Sequence, residues 1–439
     1  MKVGVVSLGC PKNLVDTEVM LSKIVGAGHT IVQAIDSADV LILNTCAFIE
    51  AARAEARQEI ASLSQFKKKY LIVTGCYPKL AGDKLFKDFP NINGLVSCGN
   101  IDRIVAAIDK VKQGSRVSFL GGTSYLGPTT ARVRATPSYT AYVKIADGCS
   151  HGCSFCTIPR IRGPYRSRKI EEIVKEVKML AQVGTKEINL VAQDTTNYGR
   201  DRYGKPVLAG LLRKIVKIEG IKWVRIMYAH PDHLTDELTR TIAQEGKICK
   251  YLDLPLQHGS DKILKAMGRR MGRRAIIDKI TRIRRQVPGI AIRSAFIVGF
   301  PGETEKEFRQ LLSLLKELAL DRVGVFTYSP EAGTRAAKLG NRVADSVSQK
   351  RYDRAMQLQS RISNKVNQKY VGKILEVLIE GHDSVDPSVW RGRSFRDAPA
   401  IDGLVMVKAG NFRPGDMVRC LIAGATDYDL IGEEIDERR

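Results

Sequence analysis

No run of about eighteen apolar residues occurs anywhere in the 439-residue chain, so no membrane-crossing helix is expected. The opening MKVGVVSLGC carries one lysine and then a strand-like stretch, not a basic region followed by a long apolar one, so no secretory leader is expected either. No internal repeat of fixed period and no low-complexity tract is found, which excludes a repeat array. Acids are the scarcer charge: 47 Asp and Glu face 70 Lys and Arg, a net charge of +23 that suits an anionic partner such as RNA or a ribosome. The expectation is a cytoplasmic protein without membrane attachment, long enough for roughly two to four domains. In that reducing compartment nine cysteines point to metal or redox chemistry more than to disulfides.

Those cysteines are not scattered. Three hydrophobic runs each end on one: KVGVVSLGC on Cys10, ADVLILNTC on Cys46 and YLIVTGC on Cys76. If the runs are parallel strands, their carboxyl ends share one sheet edge, where open α/β sheets bind ligands, and three thiolates could meet on one metal. Taken singly, each also reads as a small apolar residue near a strand end.

The hydrophobic pattern divides the chain into blocks. Residues 1–112 predict a parallel α/β sheet domain, with strands at 2–8, 39–44, 70–74 and 94–97 and helices at 14–27, 49–64 and near 80–88. Residues 113–138 turn to Gly, Ser, Thr and Pro and read as a linker. Residues 139–368 repeat strand and helix six times, with strands near 140–146, 187–192, 223–228, 250–255, 291–298 and 321–327. This predicts a partial or complete (β/α)6 barrel with its chemistry at the strand carboxyl ends. Residues 370–436 are short alternating runs broken by Gly, Asp and Pro, as in a small five-stranded OB-like β-barrel. From residue 370 onward nine Lys and Arg face thirteen Asp and Glu, a net of −4, so the positive charge lies elsewhere. Residues 262–285 hold ten Lys and Arg against one Asp, read either as solvated helix faces or as contacts to RNA or a carboxylate.

The segment CSHGCSFC places Cys149, Cys153 and Cys156 in one loop after the first strand of the middle block. Zinc sites want a fourth ligand, and none is near; three sulfurs on a cubane instead leave one iron open to a small molecule. His151 reads as an exposed spacer. His230 and His233 in AHPDH read as no metal pair, because no further ligand cluster accompanies them. Cys98, Cys249 and Cys420 read as structural.

This spacing, with Phe155 before the last cysteine, resembles the radical S-adenosylmethionine enzymes. The resemblance implies a 4Fe-4S cluster on Cys149, Cys153 and Cys156 whose open iron chelates S-adenosylmethionine, and cleavage of that cofactor to a 5'-deoxyadenosyl radical. It also implies cofactor contacts from Phe155, from Gln193 and Asp194 in INLVAQDTT, from Gln257 beside His258 in LDLPLQHGS, and from Arg293 and the turn at Gly299 in IRSAFIVGFPGET. Each polar or glycine position reads equally as a strand-end cap or turn former.

With the amino-terminal triplet and the end barrel included, essentially the whole chain resembles the methylthiotransferases of that superfamily. This implies a second 4Fe-4S cluster on Cys10, Cys46 and Cys76 as sulfur carrier. SLGCPKNLVDTE, NTCAFIEAAR, AQDTTNYG and YSPEAGT resemble the branch that methylthiolates the β-carbon of an aspartate in small-subunit ribosomal protein S-twelve, and less the branch that modifies a transfer-RNA adenosine. An acidic end barrel is a poor grip for RNA phosphates, which argues the same way. The implied partners are S-twelve, free or in the small subunit, and an electron donor such as flavodoxin or ferredoxin. An unactivated C–H bond gives general acid–base groups nothing to do, so no catalytic acid or base is named. A non-catalytic iron-sulfur RNA-binding or electron-transfer protein is the remaining alternative.

Overall fold

Runs such as VLILNT have no polar face, which suits strands covered on both sides. The computed structural model, which describes residues 1–122, 132–408 and 410–435, builds two such sheets. The first contains β1 (Lys2–Ser7), β2 (Thr30–Val32), β3 (Val40–Thr45), β4 (Tyr70–Gly75), β5 (Ile92–Ser97) and β6 (Val117–Phe119), in the order β2-β1-β3-β4-β5-β6 and parallel throughout. Ser7 lies opposite Asn44 and Thr45 opposite Gly75, so the carboxyl ends of β1, β3 and β4 are level. β2 and β6 are three-residue edge strands without a counterpart in the sequence reading. β6 falls inside the expected linker, part of which, 123–131, lies outside the described residues. A further helix, Cys76–Ala81, begins on a cysteine where only a helix near 80–88 is expected.

The second sheet holds β7 (Thr140–Lys144), β10 (Glu187–Val191), β11 (Trp223–Ile226), β12 (Ile248–Asp253), β13 (Ala291–Val298) and β14 (Arg322–Thr327), parallel and adjacent in that sequence. It remains an open sheet and so makes a partial barrel. A small ladder, β8 (Ala146–Asp147) against β9 (Arg166–Ser167), brackets the cysteine loop. The carboxyl-terminal strands β15 (Ile374–His382), β16 (Val389–Ser394), β17 (Val405–Lys408), β18 (Met417–Ala425) and β19 (Leu430–Glu434) form a closed barrel around Val377, Ile379, Val405, Ile422 and Leu430.

Buried charge docks that barrel onto the middle sheet. Glu187 on β10, fully buried, faces Arg393 at 2.7 Å and Arg225 at 3.1 Å, while Arg322 meets Asp397 at 2.6 Å. Burial alone would raise the Glu187 carboxyl, but Arg393 and Arg225 outweigh it and bring it from 4.5 to about 2. A depressed carboxyl contributes stability above its unfolded value of about 4.3 and loses it as pH falls toward the folded value, here about 3 kcal/mol in all. Denaturant midpoints measured between pH 2 and 7 are therefore expected to fall below about pH 4.3 in the wild type. In Glu187→Gln they start lower and change less with pH, and parallel curves for the two proteins would contradict this account.

Candidate functional site

Both cysteine triplets open onto one cavity of about 380 Å³, lined by Cys10, Cys46, Cys76, Cys149, Cys153 and Cys156. The amino-terminal set follows directly from the level strand ends. Gly75 adopts φ 97° and ψ −143°, a region open to glycine and few others. A Cβ there would meet the Thr45 carbonyl oxygen at 2.6 Å, so the chain can turn from β4 into Cys76 only with glycine. Asn13 ties the strand ends together: its side chain donates to the Thr45 carbonyl at 2.9 Å, and Asn44 donates to the Asn13 carbonyl at 2.9 Å.

The second set is held from the middle block. Cys149 N–H donates to the Gly163 carbonyl at 3.0 Å, and Ser154 N–H and hydroxyl reach the Met267 and Ala266 carbonyls at 2.9 and 2.8 Å. The Thr157 hydroxyl donates to the Phe48 carbonyl at 3.1 Å, joining the loop to the segment after Cys46. Glu331, from YSPEAGT, binds Arg53 at 2.6 Å and accepts from Glu50 N–H at 2.9 Å, so two of the distinctive sequence segments meet.

Between the triplets lies a buried network. Arg162 sits 3.0 Å from Asp147 and 3.2 Å from Asp16, donates to Asn13 Oδ1 at 2.6 Å and reaches Cys76 Sγ at 3.5 Å. Lys144 pairs with Asp16 at 2.5 Å and Asp147 at 3.3 Å, and Gln193 donates to Asp147 at 3.0 Å. Hydrogen bonding from Cys98 first, and then the Arg162 charge, pull the Cys76 thiol down to about 6 against its burial. Burial pushes Cys46 and Cys149 up to about 11 and Cys156 up to about 12, so each of these thiols releases a proton when it binds a metal. Cys98, although next to Cys76, does not line the cavity.

Among the other expected contacts, Phe155, Gln193 and Gln257 line the cavity. Arg293 does not: it pairs with Asp253 at 2.8 Å and Asp402 at 3.3 Å, in a separate cleft against the end barrel. Gly299 lies off the cavity too, its N–H bound to Glu303 and any Cβ at this position excluded by Ser348. Asp194 is fully buried behind the wall. His151 and His233 each reach its Oδ2 at 2.7 Å, and the Thr196 hydroxyl and Asn197 N–H reach Oδ1 at 2.6 and 3.1 Å. Those bonds, led by His151, overcome its burial and hold its carboxyl well below the usual range.

The readings of His151 as a spacer and of His230 and His233 as unaccompanied are thereby corrected. The nitrogen and oxygen donors of His151, Asp194, His230 and His233 lie within 4.8 Å of one another, and the His151 ring stacks on His230 at 4.3 Å. Burial, then Arg269 at 2.7 Å, keeps His230 neutral. With the Asp194 oxygens engaged in hydrogen bonds, the group braces the cysteine loop against the ends of β10 and β11. No sequence pattern signals it, because its members come from three separate segments.

Comparison with known proteins agrees with this organisation. The model described as Radical SAM superfamily matches residues 143–315, Uncharacterized protein family UPF0004 matches 2–97, and TRAM domain matches 371–435. The chain is 46% identical over 441 residues to the ribosomal protein uS12 methylthiotransferase RimO of Pelotomaculum thermopropionicum, covering 99% of each protein. It is 44% identical over 440 residues to that of Geobacter sulfurreducens, covering 99% of this chain and 98% of the relative. The solved radical S-adenosylmethionine methyltransferase TsrM from Kitasatospora setae, bound to cobalamin and a [4Fe-4S] cluster, shares the fold at a TM-score of 0.56 and 13% identity, over 85% of this chain and 80% of that one. No helix among the described residues is long and apolar enough to cross a membrane.

Proposed function

The chain belongs to the ribosomal protein uS12 methylthiotransferase family of radical S-adenosylmethionine enzymes, and from that premise we propose that it methylthiolates the β-carbon of an aspartate in uS12, the S-twelve protein. The observation that carries the reading is that all six candidate cysteines line a single cavity. Cys149, Cys153 and Cys156 would hold one 4Fe-4S cluster, and Cys10, Cys46 and Cys76 a second. Each donor set supplies three sulfurs, which would leave one iron of each cluster open to a small molecule. When bound, these clusters and S-adenosylmethionine supply a hydrogen-abstracting radical and a sulfur donor.

The chain's own groups prepare that chemistry. Phe155, Gln193 and Gln257 face the space beside the cysteine loop, where they would orient the cofactor. The His151–Asp194–His233 brace holds the loop, and Arg162 opposes negative charge on Cys76. Arg293 and Gly299 belong to the packing around this site instead. An end barrel of net −4 complements a basic protein better than it does RNA. A ribosomal substrate suits a reaction in the cytoplasm, and the proposed chemistry would draw its electron from a donor such as flavodoxin or ferredoxin.

Reconstituted enzyme incubated with uS12, with assembled small subunits and with transfer RNA provides the test. The expected result is a methylthio group on a uS12 aspartate and none on RNA. Methylthiolation of the RNA alone would overturn the assignment.

A further inference from the structure

Among the described residues that line the cavity, Lys12 is the one buried cation without a carboxylate partner. Lys12 lies in the first turn of the helix Pro11–Gly26, two residues after Cys10, and is 7% exposed. Its ammonium sits 3.3 Å from the centre of the Tyr228 ring, and it makes no hydrogen bond and no ion pair with the described residues. The Cys10 thiol two residues away is the strongest of the anionic groups acting on it, and the two acids that act more weakly are committed to others: Asp253 to Arg293 and to Tyr228 N–H, Asp147 to Arg162 and Lys144. Buried cations elsewhere in this region, Lys144, Arg162 and Arg225, each have a carboxylate at 3.2 Å or less. A cation in the first turn of a helix also opposes the helix dipole. Tyr228 itself has φ 56°, a left-handed backbone that is costly for a bulky residue and concentrates where a site demands it.

An unpaired buried ammonium aimed into a cavity is a site for an anion. Resting on the function proposed above, we infer that Lys12 binds the β-carboxylate of the substrate aspartate and so determines which substrate is accepted. The carbon to be modified carries that carboxylate directly. Anchoring it beside Cys10 therefore sets the reacting carbon next to the thiol set assigned to the sulfur donor. An adenosine has no anion on its reacting carbon and gains nothing from Lys12.

The test compares binding of a uS12 segment carrying the target aspartate with the same segment carrying asparagine, on reconstituted wild type, Lys12→Met, Lys12→Gln and Lys12→Arg. Wild type is expected to prefer aspartate, and Met or Gln to lose about 30-fold in affinity for the aspartate segment with little change for asparagine. Arg retains part of the preference, and Gln serves if Met does not fold. Retained discrimination in both neutral variants overturns the inference while leaving the proposed function intact. S-adenosylmethionine binding is measured in parallel: an equal loss there assigns Lys12 to the cofactor's carboxylate and also overturns it. A wild type that modifies transfer RNA and binds neither segment sinks the underlying function along with it.

Discussion

A protein carrying Cys10→Ala, Cys46→Ala and Cys76→Ala together is expected to load about four irons where the wild type loads about eight, and to lose methylthiolation of uS12 below detection. Formation of 5'-deoxyadenosine should persist. The physical reason is that the two triplets are anchored separately. The loop bearing Cys149, Cys153 and Cys156 is held by the Gly163, Ala266 and Met267 carbonyls, none of which depends on the strand-end thiols. The strand-end set in turn hangs on Asn13, Asn44 and the turn at Gly75. Iron and sulfide analysis, product analysis and mass spectrometry of uS12 read the three outcomes independently. Unchanged iron would refute a second cluster. Halved iron with uS12 still modified would refute its part in the reaction.

Replacement of Arg162 by Met is expected to cost about 3–5 kcal/mol of stability, the range for removing one partner of a buried ion network. The network as it stands is charge-balanced, Lys144 and Arg162 against Asp16 and Asp147, with Asn13 and Cys76 on the free edge of the guanidinium. Without Arg162, Lys144 alone faces two buried carboxylates at the seam between the first sheet and the radical loop. Arg162→Lys should recover only part of the loss, because an ammonium cannot reproduce the fork that engages both carboxylates and Asn13 at once. Urea unfolding of the three proteins measures the difference. A Met variant within about 0.5 kcal/mol of wild type would show that the seam does not depend on this residue.

How much of this was legible in the chain depends on the length scale of each signal. β1, β3, β4 and the strands of the middle block announce themselves as long apolar runs, and their ends fall within a few residues of expectation. β2 and β6 do not, because three residues carry no periodicity. The helix at Cys76 lies ahead of the one expected near 80–88, and its start depends on the glycine before it. Gln257 and Arg293 looked alike as polar groups near strand ends. They part company because Asp402 arrives from the end barrel to claim Arg293, while Gln257 faces the cavity from a left-handed turn, φ 73°.

Residue types and local spacing alone therefore determined which thiols are candidate ligands, their order and the strand pattern of the three-part architecture. Three thiols in eight residues are neighbours whatever the fold, and an apolar run makes a strand before it finds a partner. What packing alone decided is convergence: that Cys10, Cys46 and Cys76 face the other triplet, that Asp194 turns from the cavity to the histidines, and that Lys12 is left with no acid. These are distances between segments far apart along the chain. They arise when parallel strands level their ends and buried charges choose their partners, and no local pattern encodes either.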